Sequence, residues 1–209
     1  MAAWSCASLI AQNAPSSSRN AQTSHRAPSS VDPGSVSNGV YRNSALGFNC
    51  KIPQGWVLRT EEVNSQDDSG DKNTDATKST SSGRVLLAAF SRPPQARGED
   101  VNASVLIAAE PASAYPGLKD AAQYFGPLTE VAKAQGFDVD EDPYEFAVGS
   151  KNLVRSDFEK DVGSRVMHQS TLAMLARGYA VSFTFIGGTE EEVEELIGNL
   201  TFPAQAAKH

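Results

Sequence analysis

The stretch ALGFNCKIPQGW, residues 45–56, contains the pattern from which the fold of this 209-residue chain is best read. Its apolar side chains fall on alternate residues, the period that places them on one face of a β-strand. Cys50 shares that face with Phe48 and Ile52. Free cysteine is among the most buried residue types, and no base stands nearby in the sequence to activate a thiol. The pattern therefore predicts a strand with Cys50 in the core.

A hairpin is predicted around this strand. The short strand of residues 39–43 precedes the strand of residues 46–52, and the two residues between them suit a tight turn. Pro53 and Gly55 then take the second and fourth positions of a four-residue turn, the preference of a type I turn. Trp56 follows this turn and is expected to cap one end of the core.

The middle of the chain predicts central strands and then a helix. Residues 84–91 and 102–110 are apolar without alternation, as expected of strands covered on both faces. Residues 118–135 change to a helical period. Pro127 is expected to kink or split this helix, because proline removes a backbone donor and clashes with the preceding turn. Gly136 is expected to end it.

The last third of the chain predicts strands and a final helix. Four strands are expected within residues 137–187, and Arg177 and Gly178 form a two-residue loop typical of a long antiparallel hairpin. Thr189 and Glu192 have the spacing of a capping box ahead of an amphipathic helix. The order strands, helix, strands, helix predicts an α+β fold, a mostly antiparallel β-sheet with helices packed on it.

Two segments have little apolar surface to bury and are expected to stay disordered. Residues 15–38 form a serine-rich tether. Residues 59–83 contain six acidic residues and form an acidic insertion between two strands. Residues 39–203 are then a single domain, and residues 204–209 are a tail.

Residues 1–14 resemble the second half of a secretory signal, an apolar stretch followed by small residues, whose basic region is expected to lie upstream. The absence of acidic residues before Asp32 is also typical of an organelle transit segment. Cys6 matches a lipidation site poorly, since no branched aliphatic residue stands three places before it. No run approaches the roughly 20 apolar residues that cross a bilayer. We expect an exported protein, periplasmic or secreted, with the chloroplast lumen as the alternative.

Charge and ligand spacing limit the possible partners. The net charge of −7 disfavours nucleic acid and anionic lipid as partners, because both are themselves anionic. The three histidines stand far apart, at positions 25, 168 and 209, and there is neither a zinc-binding motif nor a cysteine pair. The sequence therefore predicts no metal and no cofactor.

Two other patterns bear on metal binding and catalysis. An acidic run with the first spacing of a calcium loop has Pro143 where glycine is required and Gly149 where a bidentate glutamate belongs, which disfavours calcium. Its aspartates are Asp138, Asp140 and Asp142. His168 shares a strand face with Val166 and is interpreted as a hydrogen-bonded or partly exposed strand residue rather than a general base. No catalytic residue is predicted, and the protein is expected not to be an enzyme.

The chain resembles the PsbP-like family over about residues 39–203. The likeness lies in LGFNCKIPQGW, in the mid-chain helix and in GYAVSFTFIGGTEEEVEELIGNLTF near the end. The family includes extrinsic photosystem proteins, Mog-type Ran-binding proteins and exported bacterial lipoproteins of the DcrB and LpqN kinds. The resemblance implies a PsbP-like α/β/α sandwich and a binding, assembly or chaperone-like role. The matching residues are Phe48, Pro53, Gly55, Trp56, Gly178, Tyr179, Phe183, Phe185, Thr189 and residues 196–202.

Three functions are compatible with these patterns. The first is a non-catalytic, exported module that holds a protein partner in the cell envelope, because the patterned positions are nearly all apolar and leave no convergent polar set. The second is a small-ligand or lipid carrier, with an apolar pocket between the helix and the sheet near Tyr115, Phe125 and Tyr144. The third is a hydrolase that uses His168 with Asp157.

Overall fold

The computed structural model describes residues 31–203, except residues 69–82, 97, 99 and 140. The predicted signal of residues 1–14, residues 15–30 of the predicted tether, residues 69–82 of the predicted insertion, the tail of residues 204–209 and Asp140 therefore lie outside the described residues. No helix among those described is long and apolar enough to span a bilayer.

The described elements follow one another as short strands, a helix, two long strands, a second helix, five strands and a third helix with a final short strand. They are β1 Ser35–Ser37, β2 Val40–Asn43, β3 Phe48–Lys51, β4 Val57–Leu58, α1 Thr60–Asp68, β5 Arg84–Phe90, β6 Ser104–Pro111, α2 Ala121–Ala134, β7 Asp138–Val139, β8 Tyr144–Val148, β9 Lys151–Val162, β10 Arg165–Ala176, β11 Tyr179–Gly187, α3 Glu190–Ile197 and β12 Leu200–Thr201.

Two antiparallel sheets form the domain. The smaller has the order β1-β2-β3-β12, and the larger has the order β4-β5-β6-β11-β10-β9-β7, with β8 also paired to β9. The prediction of an α+β fold with a mostly antiparallel sheet and packed helices is confirmed. The opening hairpin forms a sheet of its own rather than extending the larger one.

Apolar clusters cover both faces of the larger sheet. On one face, Phe48 of the smaller sheet packs edge-to-face on Phe183, with 4.8 Å between ring centroids. On the other face, Phe125 of α2 is fully buried beside Ala173. Cys50 is fully buried in the first cluster, so its predicted place in the core is confirmed.

The turns around β3 differ in detail from the prediction. The loop between β2 and β3 has four residues rather than two, because the Asn43 side chain accepts a hydrogen bond from the Leu46 N–H at 2.9 Å. In the next turn, the Trp56 N–H donates to the Pro53 carbonyl at 3.3 Å. Gly55 is then third rather than fourth in the turn, and its φ of +85° is that of a type II turn.

The predicted tether ends earlier than expected. Residues 31–38 fold with the domain: β1 pairs with β2, and Val31 is buried in the core. The Tyr41 hydroxyl donates to the Pro33 carbonyl at 2.8 Å. The prediction that disorder continues to residue 38 is therefore wrong, because contacts distant in sequence stabilise this polar segment.

Helix α1 occupies the start of the predicted insertion of residues 59–83, so the expectation of disorder is wrong there. Asn64 joins the helix to β5 by two hydrogen bonds, from its Nδ2 to the Val85 carbonyl at 2.9 Å and from the Val85 N–H to its Oδ1 at 3.0 Å. The Ala88 N–H also donates to Thr60 Oγ1 at 3.0 Å. Strand β4 is short and pairs only with the end of β5, so these bonds supply partners for backbone groups of Val85 and Ala88 that β4 does not reach.

Helix α2 is continuous, and Pro127 lies inside it without splitting it. Tyr124 and Phe125 on one side of the proline and Ala132 on the other are all buried, so packing on the larger sheet holds both halves. Gly136, with φ of +82°, follows the last turn as predicted.

The predicted hairpin of β10 and β11 and the cap of α3 are both confirmed. Arg177 and Gly178 both have positive φ, +51° and +83°, which is typical of a two-residue hairpin loop. Thr189 Oγ1 accepts from the Glu192 N–H at 3.2 Å, and Glu192 Oε2 accepts from the Gly188 N–H at 2.8 Å. The carboxylate of Glu192 thus lies at the N-terminal end of α3, where the helix dipole favours a negative charge.

Candidate functional site

A polar cleft of about 340 Å³ lies between strands β8–β10 and helix α3. Alternate residues of β9 and β10 point into it, and Tyr144 of β8 and the first turns of α3 complete its walls. The expectation of no convergent polar set is therefore wrong. The polar residues of the cleft are Glu141, Tyr144, Arg155, Asp157, Glu159, His168, Gln169, Ser170, Glu190 and Glu194.

Arg155 stands at the centre of the cleft wall and is buried. Its Nε lies 2.9 Å from Asp157 Oδ1, its Nη2 donates to Ser170 Oγ at 3.0 Å, and its Nη1 lies 2.6 Å from Glu194 Oε1. The guanidinium also lies over the Phe146 ring, 4.9 Å from its centroid. Arg155 thereby ties α3 to the larger sheet and has its donors engaged.

The same network sets the charge state of this wall. Burial is the largest influence on the pKa of Arg155 and lowers it, but hydrogen bonds to Asp157 and Glu194 outweigh it and the pKa is raised. Burial, together with the hydrogen bond to Asp157, raises the pKa of Tyr144 to about 12. The Tyr144 hydroxyl donates to Asp157 Oδ2 at 2.7 Å. At neutral pH Arg155 is therefore charged and Tyr144 is protonated.

His168 lies at the other end of the cleft, directly opposite Glu159 in the pairing of β9 and β10. Its Nδ1 is 3.0 Å from Glu159 Oε1, and its side chain is 20% exposed. Its interpretation as a partly exposed strand residue is confirmed. The predicted pairing of His168 with Asp157 is wrong, since Asp157 accepts from Arg155 and from the Ser170 hydroxyl instead.

The pocket predicted near Tyr115, Phe125 and Tyr144 does not form from those residues. Tyr144 faces the polar cleft beside α3, whereas Phe125 is fully buried under α2 on the opposite face of the larger sheet. Tyr115 packs edge-to-face on Tyr124 of α2, with 5.2 Å between centroids. The sheet itself separates Tyr144 from the other two residues.

A second concave surface, the Trp56 groove, has a volume of about 880 Å³ and lies where the smaller sheet meets β4 and α3. Val36 and Leu58 line it and are 43% and 44% exposed. Trp56 is half-buried: it packs against the core cluster and also lines the groove. The groove is lined by Val36, Asn38, Gly39, Val40, Lys51, Ile52, Pro53, Gln54, Gly55, Trp56, Leu58, Glu192, Glu195, Leu196 and Asn199.

The fold and these two surfaces define a class of α+β domain in which two antiparallel sheets and α3 frame a polar cleft and a partly apolar groove. No family model and no curated protein matches the chain. Among solved structures, it is similar to LpqN of Mycobacterium tuberculosis, a protein involved in cell envelope biogenesis, at 13% identity over 82% of this chain and 87% of that one, with a TM-score of 0.42.

A solution structure of the cyanobacterial PsbP of Synechocystis is similar at 18% identity, over 78% of this chain and 91% of that one, with a TM-score of 0.46. These are two of the kinds of protein that the sequence resemblance names. Similarity at this level describes the fold alone, so the two surfaces of the chain itself have to support any functional conclusion.

Proposed function

We propose that this protein is a non-catalytic, exported binding module that holds an extended segment of a protein partner in the Trp56 groove. The observation that carries the proposal is the exposure of Val36 and Leu58, each more than two fifths exposed, at a groove that Trp56 also lines. Apolar side chains exposed together and rimmed by polar ones are typical of protein-interaction sites, and tryptophan is enriched among the residues that dominate binding energy.

Two features of the groove favour an extended, basic segment as its occupant. β1 pairs with β2 on one side, and in the part of the chain that the structure describes no strand pairs with its other side. Such an edge accepts an added strand through main-chain hydrogen bonds. Glu192 and Glu195 line the groove against the single cation of Lys51, so a segment with lysine or arginine is electrostatically complementary.

The chemistry of the polar cleft supports a role without catalysis. Ser170, the hydroxyl in the cleft closest in sequence to His168, bonds to Asp157 and Arg155, while His168 lies against Glu159. A nucleophile and its base would need to bond to each other. Export is supported by the apolar and small residues of the N-terminal segment.

Peptide binding to the full chain tests the proposal. A panel of 12-residue peptides would vary independently in apolar anchors and in net charge, and affinity would be measured by calorimetry. We expect peptides with both an apolar anchor and basic residues to bind, and Leu58→Ser and Val36→Ser to weaken them about tenfold or more by removing apolar contact.

Val162→Ser is the matched control, because Val162 is a strand valine that is 47% exposed and does not line the groove. It should leave affinity unchanged. The proposal fails if no peptide binds selectively, or if the control weakens binding as much as the groove variants do. Glu195→Gln should reduce both the affinity for basic peptides and its salt dependence.

A further inference from the structure

The end of the polar cleft near His168 brings together three side chains that can act as metal ligands. Glu159, His168 and Glu190 each offer one ligand atom, and these atoms all lie within 4.8 Å of one another. We infer that they form a binding site for a divalent transition-metal ion of the zinc kind. The inference does not rest on the proposed function, since none of the three residues lines the Trp56 groove.

The backbone places two of these ligands firmly. Glu159 and His168 are directly opposite each other in the pairing of β9 and β10, two long strands of the larger sheet. Directly opposite residues in an antiparallel pair have their Cβ atoms about 5 Å apart, so both side chains are held on one face at ligand spacing. Glu190 is the first residue of α3, whose N-terminus is fixed by the Thr189 cap. The three ligands thus come from rigid elements rather than loops.

The observed separations suit a zinc-sized ion. In a tetrahedral site with metal–ligand bonds of about 2.0 to 2.1 Å, ligand atoms lie about 3.3 Å apart. His168 Nδ1 and Glu159 Oε1 are 3.0 Å apart, and the third ligand atom falls within the 4.8 Å limit of the cluster. A rotation of the exposed Glu190 side chain would bring its oxygen from within 4.8 Å to about 3.3 Å of the other two ligand atoms. The ion would lie between Nδ1 and Oε1 and bind both atoms.

The donor set and its charge indicate which ion fits. An imidazole nitrogen with two carboxylates is typical of zinc, manganese, iron or cobalt, whereas calcium and magnesium prefer oxygen ligands alone. Two carboxylates and a neutral imidazole carry a charge of −2, which balances a divalent ion. Nearby arginines do not oppose it: Arg155 pairs with Asp157 and Glu194, and Arg165 pairs with Asp100 at 2.7 Å.

The cleft supplies room beside the three ligands. The cleft has a volume of about 340 Å³, and Glu190 is exposed to solvent, so water or a group from a ligand can take the fourth coordination position. An incompletely coordinated ion of this kind is able to bind an anionic group. The prediction from histidine spacing missed the cluster, because Glu159 and Glu190 stand 31 residues apart in sequence and meet His168 only through the fold.

Metal titration of the full chain tests the inference. Zn²⁺ binding would be measured by calorimetry, and Co²⁺ would be added as a spectroscopic substitute whose visible absorption reports a low-coordinate nitrogen and oxygen site. We expect one ion per chain, with His168→Ala and Glu190→Gln each weakening affinity about tenfold or more. Glu190 is exposed at a helix start, so its variant keeps the fold even if His168→Ala perturbs β10. Ca²⁺ and Mg²⁺ should not compete.

The control is a double variant, His25→Ala with His209→Ala, which removes the other two histidines of the chain and should leave affinity unchanged. Equal affinity in the wild type, His168→Ala and Glu190→Gln would overturn the inference, as would the absence of stoichiometric binding or a loss confined to the control. Peptide binding measured in the presence of a chelator separates a failure of this site from a failure of the Trp56 groove.

Discussion

Cys50 illustrates what a single residue of the opening segment contributes. In the smaller sheet it lies opposite Tyr41 of β2 on one side and Leu200 of β12 on the other, and all three are buried. Alternation in the sequence was sufficient to predict the burial of Cys50, because the face of a strand on which a side chain lies is a local property. Burial raises the pKa of the Cys50 thiol from 9.0 to about 12, which makes it unreactive near neutral pH.

Labelling by Ellman's reagent tests the burial of Cys50 in a Cys6→Ser variant, which removes the other cysteine. At pH 8 a thiol with a pKa of about 12 is about one part in ten thousand thiolate, so the folded chain should react far more slowly than the chain in urea. Equal rates in both conditions would contradict the core assignment.

Because the unfolded thiol ionises near pH 9 and the folded one near pH 12, the contribution of Cys50 to stability is present below pH 9 and is lost as the pH rises toward 12.

Arg155 illustrates what the sequence could not predict at this scale. Arg155 and Asp157 stand two apart on a predicted strand, so their shared face was visible in the alternation. Glu194 of α3 and Tyr144 of β8 come from elements whose packing and pairing the sequence does not specify, yet they complete the same network. Whether polar side chains of different elements meet depends on how those elements pack in the folded chain. The spacing of apolar residues along the sequence does not show this.

At the scale of elements, signals confined to a few residues were predictive. The loop of Arg177 and Gly178 and the cap at Thr189 both depend on contacts within four residues, and both have the expected geometry. Helix α1 and strand β1 were missed for the opposite reason. Their residues are polar, and they are stabilised by distant partners such as Val85 for Asn64 of α1. The Asn43 side chain likewise donates to the Asp32 carbonyl, 11 residues earlier, at 2.8 Å.

The hairpin of β10 and β11 gives a prediction with a matched pair of substitutions. Arg177 has a positive φ that asparagine adopts with less strain, so Arg177→Asn should stabilise the domain by about 0.5 kcal/mol. Gly178→Ala should destabilise it by about 1 kcal/mol. A side-chain carbon at Gly178 meets nothing within 4 Å, so this cost reports backbone strain alone. Urea denaturation measures both; a neutral Gly178→Ala, or a destabilising Arg177→Asn, would contradict this loop geometry.

At the scale of the molecule, the two faces of the larger sheet have different roles. Helix α2 closes one face with a buried apolar cluster, whereas the smaller sheet and α3 cover the other face. Helix α3 and the larger sheet frame the polar cleft, and the smaller sheet, β4 and α3 frame the Trp56 groove. Helix α3 borders both surfaces, with Glu190 and Glu194 in the cleft and Glu192 and Glu195 in the groove. Four of the five glutamates of α3 therefore contribute to two different surfaces.

The proposed role of the Trp56 groove in partner binding is the central claim, and site-specific photocrosslinking tests it most directly. A photoreactive amino acid would replace Leu58 in the full chain, produced in cells that naturally contain the protein, with Val162 replaced in the same way as the control. We predict a discrete crosslinked protein from position 58 and none from position 162, with the crosslink mapping to an extended basic segment of the partner. Equal crosslinking from both positions, or none from position 58, would contradict the claim.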